Sequence, residues 1–140
     1  MLTDGRGIPL GVAIDGANRP DYQLTEATLR AIPIPRPEPT PERPQHLCLD
    51  NGYDYEAVRA VAAEWGYTLH IRPRGEEAKA RDAGKRARRW VVERTHSWLH
   101  RFRRLLVRWD KKPGNYLAFL HLACALITFR ACDWETGLSG

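Results

Sequence analysis

"HLCLDNGYDYEAVRAVAAEWGYTLHIRP", residues 46–73, is the stretch whose reading decides the fold. "HLCLD" is a short strand that ends in an acid, Asp50. "NGYD" supplies a turn, and Asp54 is placed to cap a helix over residues 55–65 that Gly66 can stop. "YTLHIRP" then reads as a second strand. Two strands joined by one helix in so few residues pair in parallel, through a crossover that is nearly always right-handed. The chain is therefore mixed α/β, a short sheet with helices packed on it.

Upstream, "MLTDGRGIPLGVAIDG" reads as a β-hairpin, with Asp4-Gly5 as the turn signal and an alternating apolar strand over residues 8–14. Three residues precede that turn, too few for a full partner strand. Residues 22–32 carry Leu24, Thr28 and Ile32 at i, i+4 and i+8, which predicts a short helix. The next segment, 33–45, holds six prolines between Pro33 and Pro44. Missing N–H donors and fixed φ angles exclude helix and central strand there, leaving an extended connector. The organisation expected is hairpin and helix over 1–32, connector over 33–45, strand–helix–strand over 46–73, and two C-terminal helices within 85–130.

Downstream, "RGEEAKARDAGK" is a polar loop and residues 85–109 form one long helix. Val91, Thr95, Trp98, Leu99, Phe102, Leu105, Leu106 and Trp109 fall along one line of that helix, so they are its core stripe. Arg86, Arg89, Glu93, His96, Ser97, His100 and Arg104 lie opposite. Pro113-Gly114 breaks the chain before a second, almost wholly apolar helix over residues 116–130.

Residues 79–112 carry thirteen Lys/Arg against three Asp/Glu, although the whole chain is only +5. Charge segregated in this way is a footprint for a polyanion, most simply nucleic acid. The competing reading is a solvated basic face. Cys48, Cys124 and Cys132 show no paired or metal-ligand spacing and fit a reducing compartment. The longest apolar run, residues 116–129, is too short to span a bilayer. A soluble cytoplasmic protein with no membrane partner is expected.

Two acids stand out. Glu93 lies at the centre of the polar face, where an i,i+4 pair with Arg89 would account for it at a few tenths of a kcal/mol, ~0.3. Asp50 closes a strand, where an Asx-type turn is the plain explanation. Taken together, a strand-end aspartate and a helix-borne glutamate among Arg and His suit Mg²⁺, which takes hard carboxylate oxygens and leaves positions for phosphate. Such ions can activate an attacking oxygen and stabilise the leaving one, while guanidiniums hold the DNA backbone.

Three stretches resemble bacterial insertion-sequence transposases of the DDE type, in the group around insertion sequence families four and five. They are "DGRGIPLGVAIDGANRPD" (4–21), "LDNGYDYEAVRAVAAEWGYTLHIRPRGEE" (49–77) and "RRWVVERTHSWLHRFRRLLVRWDKKPGNYLAFLHLACALITFR" (88–130). The resemblance implies a ribonuclease-H-like fold, present in part. Two aspartates and one glutamate would bind Mg²⁺ (or Mn²⁺) for DNA strand cleavage and joining. On this basis Asp50 matches the second aspartate and Glu93 the glutamate, each catalytic and a metal ligand. Arg89 matches the arginine of the family's tyrosine–arginine–glutamate–lysine signature. Arg86 stands where the tyrosine is usual and His100 where the lysine is usual. Arg86, Arg89, His100 and Arg104 form the expected set of phosphate contacts.

The family's first catalytic aspartate lies upstream of the segment that begins at Asp4, and Asp4, Asp15 and Asp21 do not match it. The resemblance therefore implies the C-terminal part of a transposase, without that aspartate or the N-terminal DNA-binding region, and incomplete as an enzyme by itself. A frameshifted downstream product and a decayed copy are both consistent with this. The partners implied are DNA (element ends and target) and either an upstream transposase segment or a second copy, with location at the bacterial nucleoid when bound. The alternative is a non-catalytic DNA-binding or inhibitory fragment.

Overall fold

The structure, a computed structural model, describes residues 1–16, 18–71, 89–107 and 110–136, with no side-chain description at 89, 90 and 133–136. The polar loop expected over 74–85, together with Arg86 and Trp109, lies outside the described residues. In chain order the elements are β1 (Leu2–Thr3), β2 (Pro9–Gly11), α1 (Thr25–Arg30), β3 (Gln45–Leu49), α2 (Glu56–Glu64), β4 (Tyr67–Ile71), α3 (Arg89–Leu99), α4 (Arg103–Leu106) and α5 (Pro113–Thr136). Short 3-10 turns cover Asp21–Leu24 and Asn51–Tyr53. The class is mixed α/β. The chain divides into two compact units, Asp15–Arg89 and the pair of segments Met1–Ile14 and Trp90–Gly140.

In the first unit, β3 and β4 pair in parallel, from Gln45 opposite Tyr67 to Leu49 opposite Ile71. Alternation along β3 buries Leu47 and exposes His46 and Cys48. α2 is the crossover and packs on β4, burying Val58 and Ala62 one turn apart. The start of α2 differs from expectation. Its N-cap position is Tyr55, with no side-chain cap, because the Asp54 carboxylate accepts a hydrogen bond from Arg59 instead. Gly66 ends the helix with φ +69, and a Cβ there would lie 2.8 Å from Cγ of Pro39.

That contact shows how the proline-rich connector is held. The Arg36 guanidinium donates to the Trp65 carbonyl and lies 5.6 Å from the Trp65 ring centre and 4.2 Å from that of Tyr67. The Gln45 amide donates to the Pro37 carbonyl at 2.7 Å. The helix expected over 22–32 is split. A 3-10 turn leads into α1, and the Thr25 hydroxyl donates back to the Tyr22 carbonyl at 2.7 Å.

In the second unit, β1 and β2 pair antiparallel with an irregular register. The expected strand over 8–14 shrinks to three residues. The Asp4 carboxylate takes the N–H groups of Arg6 and Ile8, each at 2.8 Å, so that local side-chain bonding shapes the turn. Past Gly11 the chain turns inward, and Val12 packs with Leu99, Leu105, Leu120 and Ala123 as the core of this unit.

The single long helix expected over 85–109 is not continuous. α3 ends at Leu99, Phe102 is extended (φ −86, ψ 100), and α4 follows as one turn. The break brings Phe102 and Leu105 against the core and leaves Leu106 and Val107, at 57% and 50% exposure, in solvent. Tertiary packing has overridden the helical periodicity, and Leu106 leaves the core stripe. α5 also runs longer than expected. Its Pro113–Cys132 stretch is long and apolar enough, by length and composition alone, to cross a membrane, a test that the core helix of a soluble protein also passes.

Candidate functional site

Asp50 follows the last residue of β3, at the carboxyl end of a parallel strand, where open α/β sheets place functional groups. Its carboxylate accepts the Asn51 N–H at 2.6 Å and its carbonyl accepts the Tyr53 N–H at 2.9 Å, which winds the turn Asn51–Tyr53. The carboxyl group is exposed. The turn also carries Tyr53, a residue that no sequence pattern singled out. Burial raises the Tyr53 phenol above its ordinary pKa, and the carboxylates of Asp21 and Asp50 raise it further. Tyr22 stacks on Tyr55 with ring centres 3.9 Å apart, holding the turn of Asp21 against the turn of Asp50. The clue to Tyr53 was its place three residues after the strand-end acid; nothing in the sequence announced Asp21 as a neighbour.

Glu93 belongs to the second unit, on the exposed side of α3, whereas Val91, Thr95 and Leu99 are buried on the other. His96 and His100 follow on the same side, with ring centres 6.4 Å apart. They stand at the rim of a cavity of about 220 Å³ floored by Val12, Leu99, Leu105 and Leu120. Desolvation there lowers the His96 pKa below its ordinary value, and the positive chain amino group and His100 act in the same direction. Arg104 reaches Asp110 at 3.3 Å and lies 4.1 Å from the Phe119 ring centre. Asp110 is 8% exposed at its side chain, so part of the Arg104 charge is already answered within the protein. The backbone of Arg89 opens α3, and Arg86 lies outside the described residues.

Of the expected site residues, the structure places Asp50 in one unit and Glu93, His100 and Arg104 in the other. Among the described residues, no three His, Cys, Asp or Glu side chains are gathered closely enough to hold a metal ion. Asp50 has the right donor type for a hard divalent cation, an exposed carboxylate, but within its own unit it is not part of a ready-made cage.

Comparison with known proteins adds what geometry alone does not. Residues 1–128 match the family model described as the transposase DDE domain. The chain is 38% identical over 139 residues to a Burkholderia cepacia protein named "Putative transposase for insertion sequence element IS402". That match covers 95% of this chain and 64% of the relative, so the chain spans under two thirds of the relative's length. No solved structure matches it. The match over most of its length decides the matter: the chain belongs to the transposase DDE domain family.

Proposed function

We propose that this chain is part of the catalytic region of an insertion-sequence transposase, in a ribonuclease-H-like fold, and serves DNA transposition by metal-dependent strand cleavage and joining. The observation that carries the reading is Asp50, an exposed carboxylate at the carboxyl end of a parallel strand, in a chain of this family. Asp50 and Glu93 are the proposed ligands of Mg²⁺ or Mn²⁺. The metal supplies Lewis-acid activation of the attacking oxygen and charge relief at the leaving one. Arg89, with Arg86, His100 and Arg104, holds the phosphate backbone by charge-assisted bonds. For Arg104, DNA must compete with Asp110. The protein acts at the bacterial nucleoid, on element ends and target DNA, and an upstream transposase segment or a second copy completes the assembly.

The test is nicking of DNA that carries the ends of the encoding element. The whole encoded transposase is compared with its Asp50→Ala and Glu93→Ala forms in Mg²⁺ or Mn²⁺. Each substitution is expected to abolish nicking while DNA binding persists. Nicking unchanged in both variants removes these acids from the mechanism.

A second reading has an observation in its favour. Residues 79–112 hold thirteen Lys/Arg against three Asp/Glu, a footprint for a polyanion that needs no metal ligand. On that reading the chain binds DNA through its basic segment without cutting it, and restrains an intact relative by mixed assembly. DNA binding with full salt sensitivity, no nicking, and dose-dependent inhibition of an active relative would favour it.

A further inference from the structure

Asp50 opens a turn that is weakly held from within. Asn51–Tyr53 is a single 3-10 turn with no buried side chain, and a Cβ on Gly52 would meet nothing within 4 Å. Its backbone bonds run from the Tyr53 N–H to the Asp50 carbonyl at 2.9 Å, from Asp54 to Asn51 at 3.1 Å and from Tyr55 to Tyr53 at 2.8 Å. Bonds of this short-range kind are poorly aligned, so they shape the turn without tying it to the rest of the unit. The tie is aromatic. The Tyr22 ring stacks on that of Tyr55 with centres 3.9 Å apart and planes 23° apart. We propose that Tyr22 is a positioning residue for the reaction, whose stack on Tyr55 fixes the direction of the Asp50 carboxylate.

Tyr22 is the anchored member of the stack. Its carbonyl accepts both the N–H and the hydroxyl of Thr25, the latter at 2.7 Å, and Thr25 is buried. Thr25 opens α1, which buries Leu29 one turn further on. Tyr55 is the outer member, 48% exposed, at the N-cap position of α2, where its carbonyl accepts the N–H groups of Val58 and Arg59. The stack therefore joins the starts of two packed helices, and the turn spans only the residues between Tyr55 and the end of β3. Two flat rings in contact also resist rotation, which a lone aliphatic contact does not.

Direction passes from the stack to the acid through the backbone. The Asp50 carboxylate accepts the Asn51 N–H at 2.6 Å, so it points where the Asn51 backbone sends it. That backbone is held in turn by the bonds that lead to Tyr55. The carboxylates of Asp21 and Asp50 both bear on the half-buried Tyr53 phenol, an independent sign that the two turns are packed together. A group that orients a reacting carboxylate must hold it to about 0.5 Å, and an exposed turn without a brace does not. The ring of Tyr22 supplies the brace, and its hydroxyl is not needed for it. The inference rests on the proposed role of Asp50.

Two measurements test it. In the full metal-free chain, amide hydrogen exchange followed by NMR reads the Asn51 N–H, which the Asp50 carboxylate holds. Tyr22→Ala is expected to speed exchange at Asn51 and Tyr53 by about tenfold or more as the turn opens locally. Tyr22→Phe keeps the ring and should match the unsubstituted chain. Ala62→Gly, at a buried position of α2, should lower Tm without changing these two amides. In the whole encoded transposase, nicking at saturating DNA is measured against Mg²⁺ concentration. Tyr22→Ala should slow nicking or raise the half-saturating Mg²⁺ concentration by about 10–100-fold, as loss of support for a metal-binding carboxylate does. Tyr22→Phe should restore it, and DNA affinity should hold. Unchanged exchange at Asn51 in Tyr22→Ala overturns the proposal. So does nicking that keeps its rate and Mg²⁺ dependence in Tyr22→Ala while Asp50→Ala abolishes it, or a loss that Ala62→Gly reproduces. A loss confined to DNA affinity overturns it as well and assigns the stack to the DNA surface. Nicking that survives Asp50→Ala instead sinks the role of Asp50, and with it the part of Tyr22 in the reaction, whatever the amides show.

Discussion

Single atoms decide how the hairpin docks on α3. The Thr95 hydroxyl, fully buried, donates to the Gly7 carbonyl at 2.6 Å, and Gly7 takes φ +89. A Cβ on Gly7 would come within 3.1 Å of both the Thr95 hydroxyl and the Val91 carbonyl. Gly7→Ala should therefore destabilise the fold by about 1–3 kcal/mol through backbone strain alone. Thr95→Val strands a buried carbonyl and should cost about 1–3 kcal/mol as well. Because both changes disturb the same hydrogen bond, the double variant should lose less than the sum in urea denaturation. His96 sets a second residue-scale expectation. Its pKa is lowered in the folded protein, so the fold favours the neutral ring. Its stabilising effect is complete above the unfolded value of 6.5 and is lost as pH falls from there through the lower folded pKa. His96→Gln should flatten that part of the stability profile, read from urea midpoints across the acidic limb.

Elements were legible from the sequence where local chemistry and packing agree. The strand–helix–strand of β3, α2 and β4 is one such case, since alternation, helical spacing and Gly66 all point the same way. Agreement fails at α3. Periodicity carried the apolar stripe through Leu106, yet the chain breaks after Leu99 because Phe102 and Leu105 fill the space beside Val12 and Leu120. No pattern within one helix encodes the shape of that space. Asp54 is a milder example, because Arg59 competes with the helix terminus for its carboxylate. For the site, the strand-end position of Asp50 could be read directly, while Asp21 and Tyr53 became its neighbours only through the stacking of Tyr22 on Tyr55. α5 gives a sharp element-scale test, since its hydropathy is nearly uniform but its burial is not. Leu120 is 7% exposed and Leu122 is 57%. Leu120→Ala should cost about 2–5 kcal/mol. Leu122→Ala should stay within about 0.5 kcal/mol. Equal losses in urea denaturation would mean that Leu122 has a partner surface in solution.

At the scale of the whole molecule the governing fact is charge. Residues 79–112 hold thirteen basic and three acidic side chains in a chain whose net charge is only +5. The remainder is therefore acidic, and a uniform coating of DNA phosphate around the protein is electrostatically disfavoured. Binding should enter through the basic segment, with Lys111 and Lys112, both exposed, each neutralising a phosphate. Each phosphate neutralised steepens the fall of log K with log salt by about 0.9. Lys111→Glu/Lys112→Glu should weaken DNA binding, measured by fluorescence anisotropy, and make that slope shallower by about 0.9 for every phosphate left without its lysine. Asp50→Asn removes a proposed metal ligand and no lysine or arginine contact to phosphate. It should leave the slope unchanged, even where the proposed nicking is abolished. The contrast separates the holding of DNA from the cutting of it. A slope altered by Asp50→Asn but not by the paired lysines would place the DNA surface on the strand–helix–strand unit, and the basic segment would then be a solvated face.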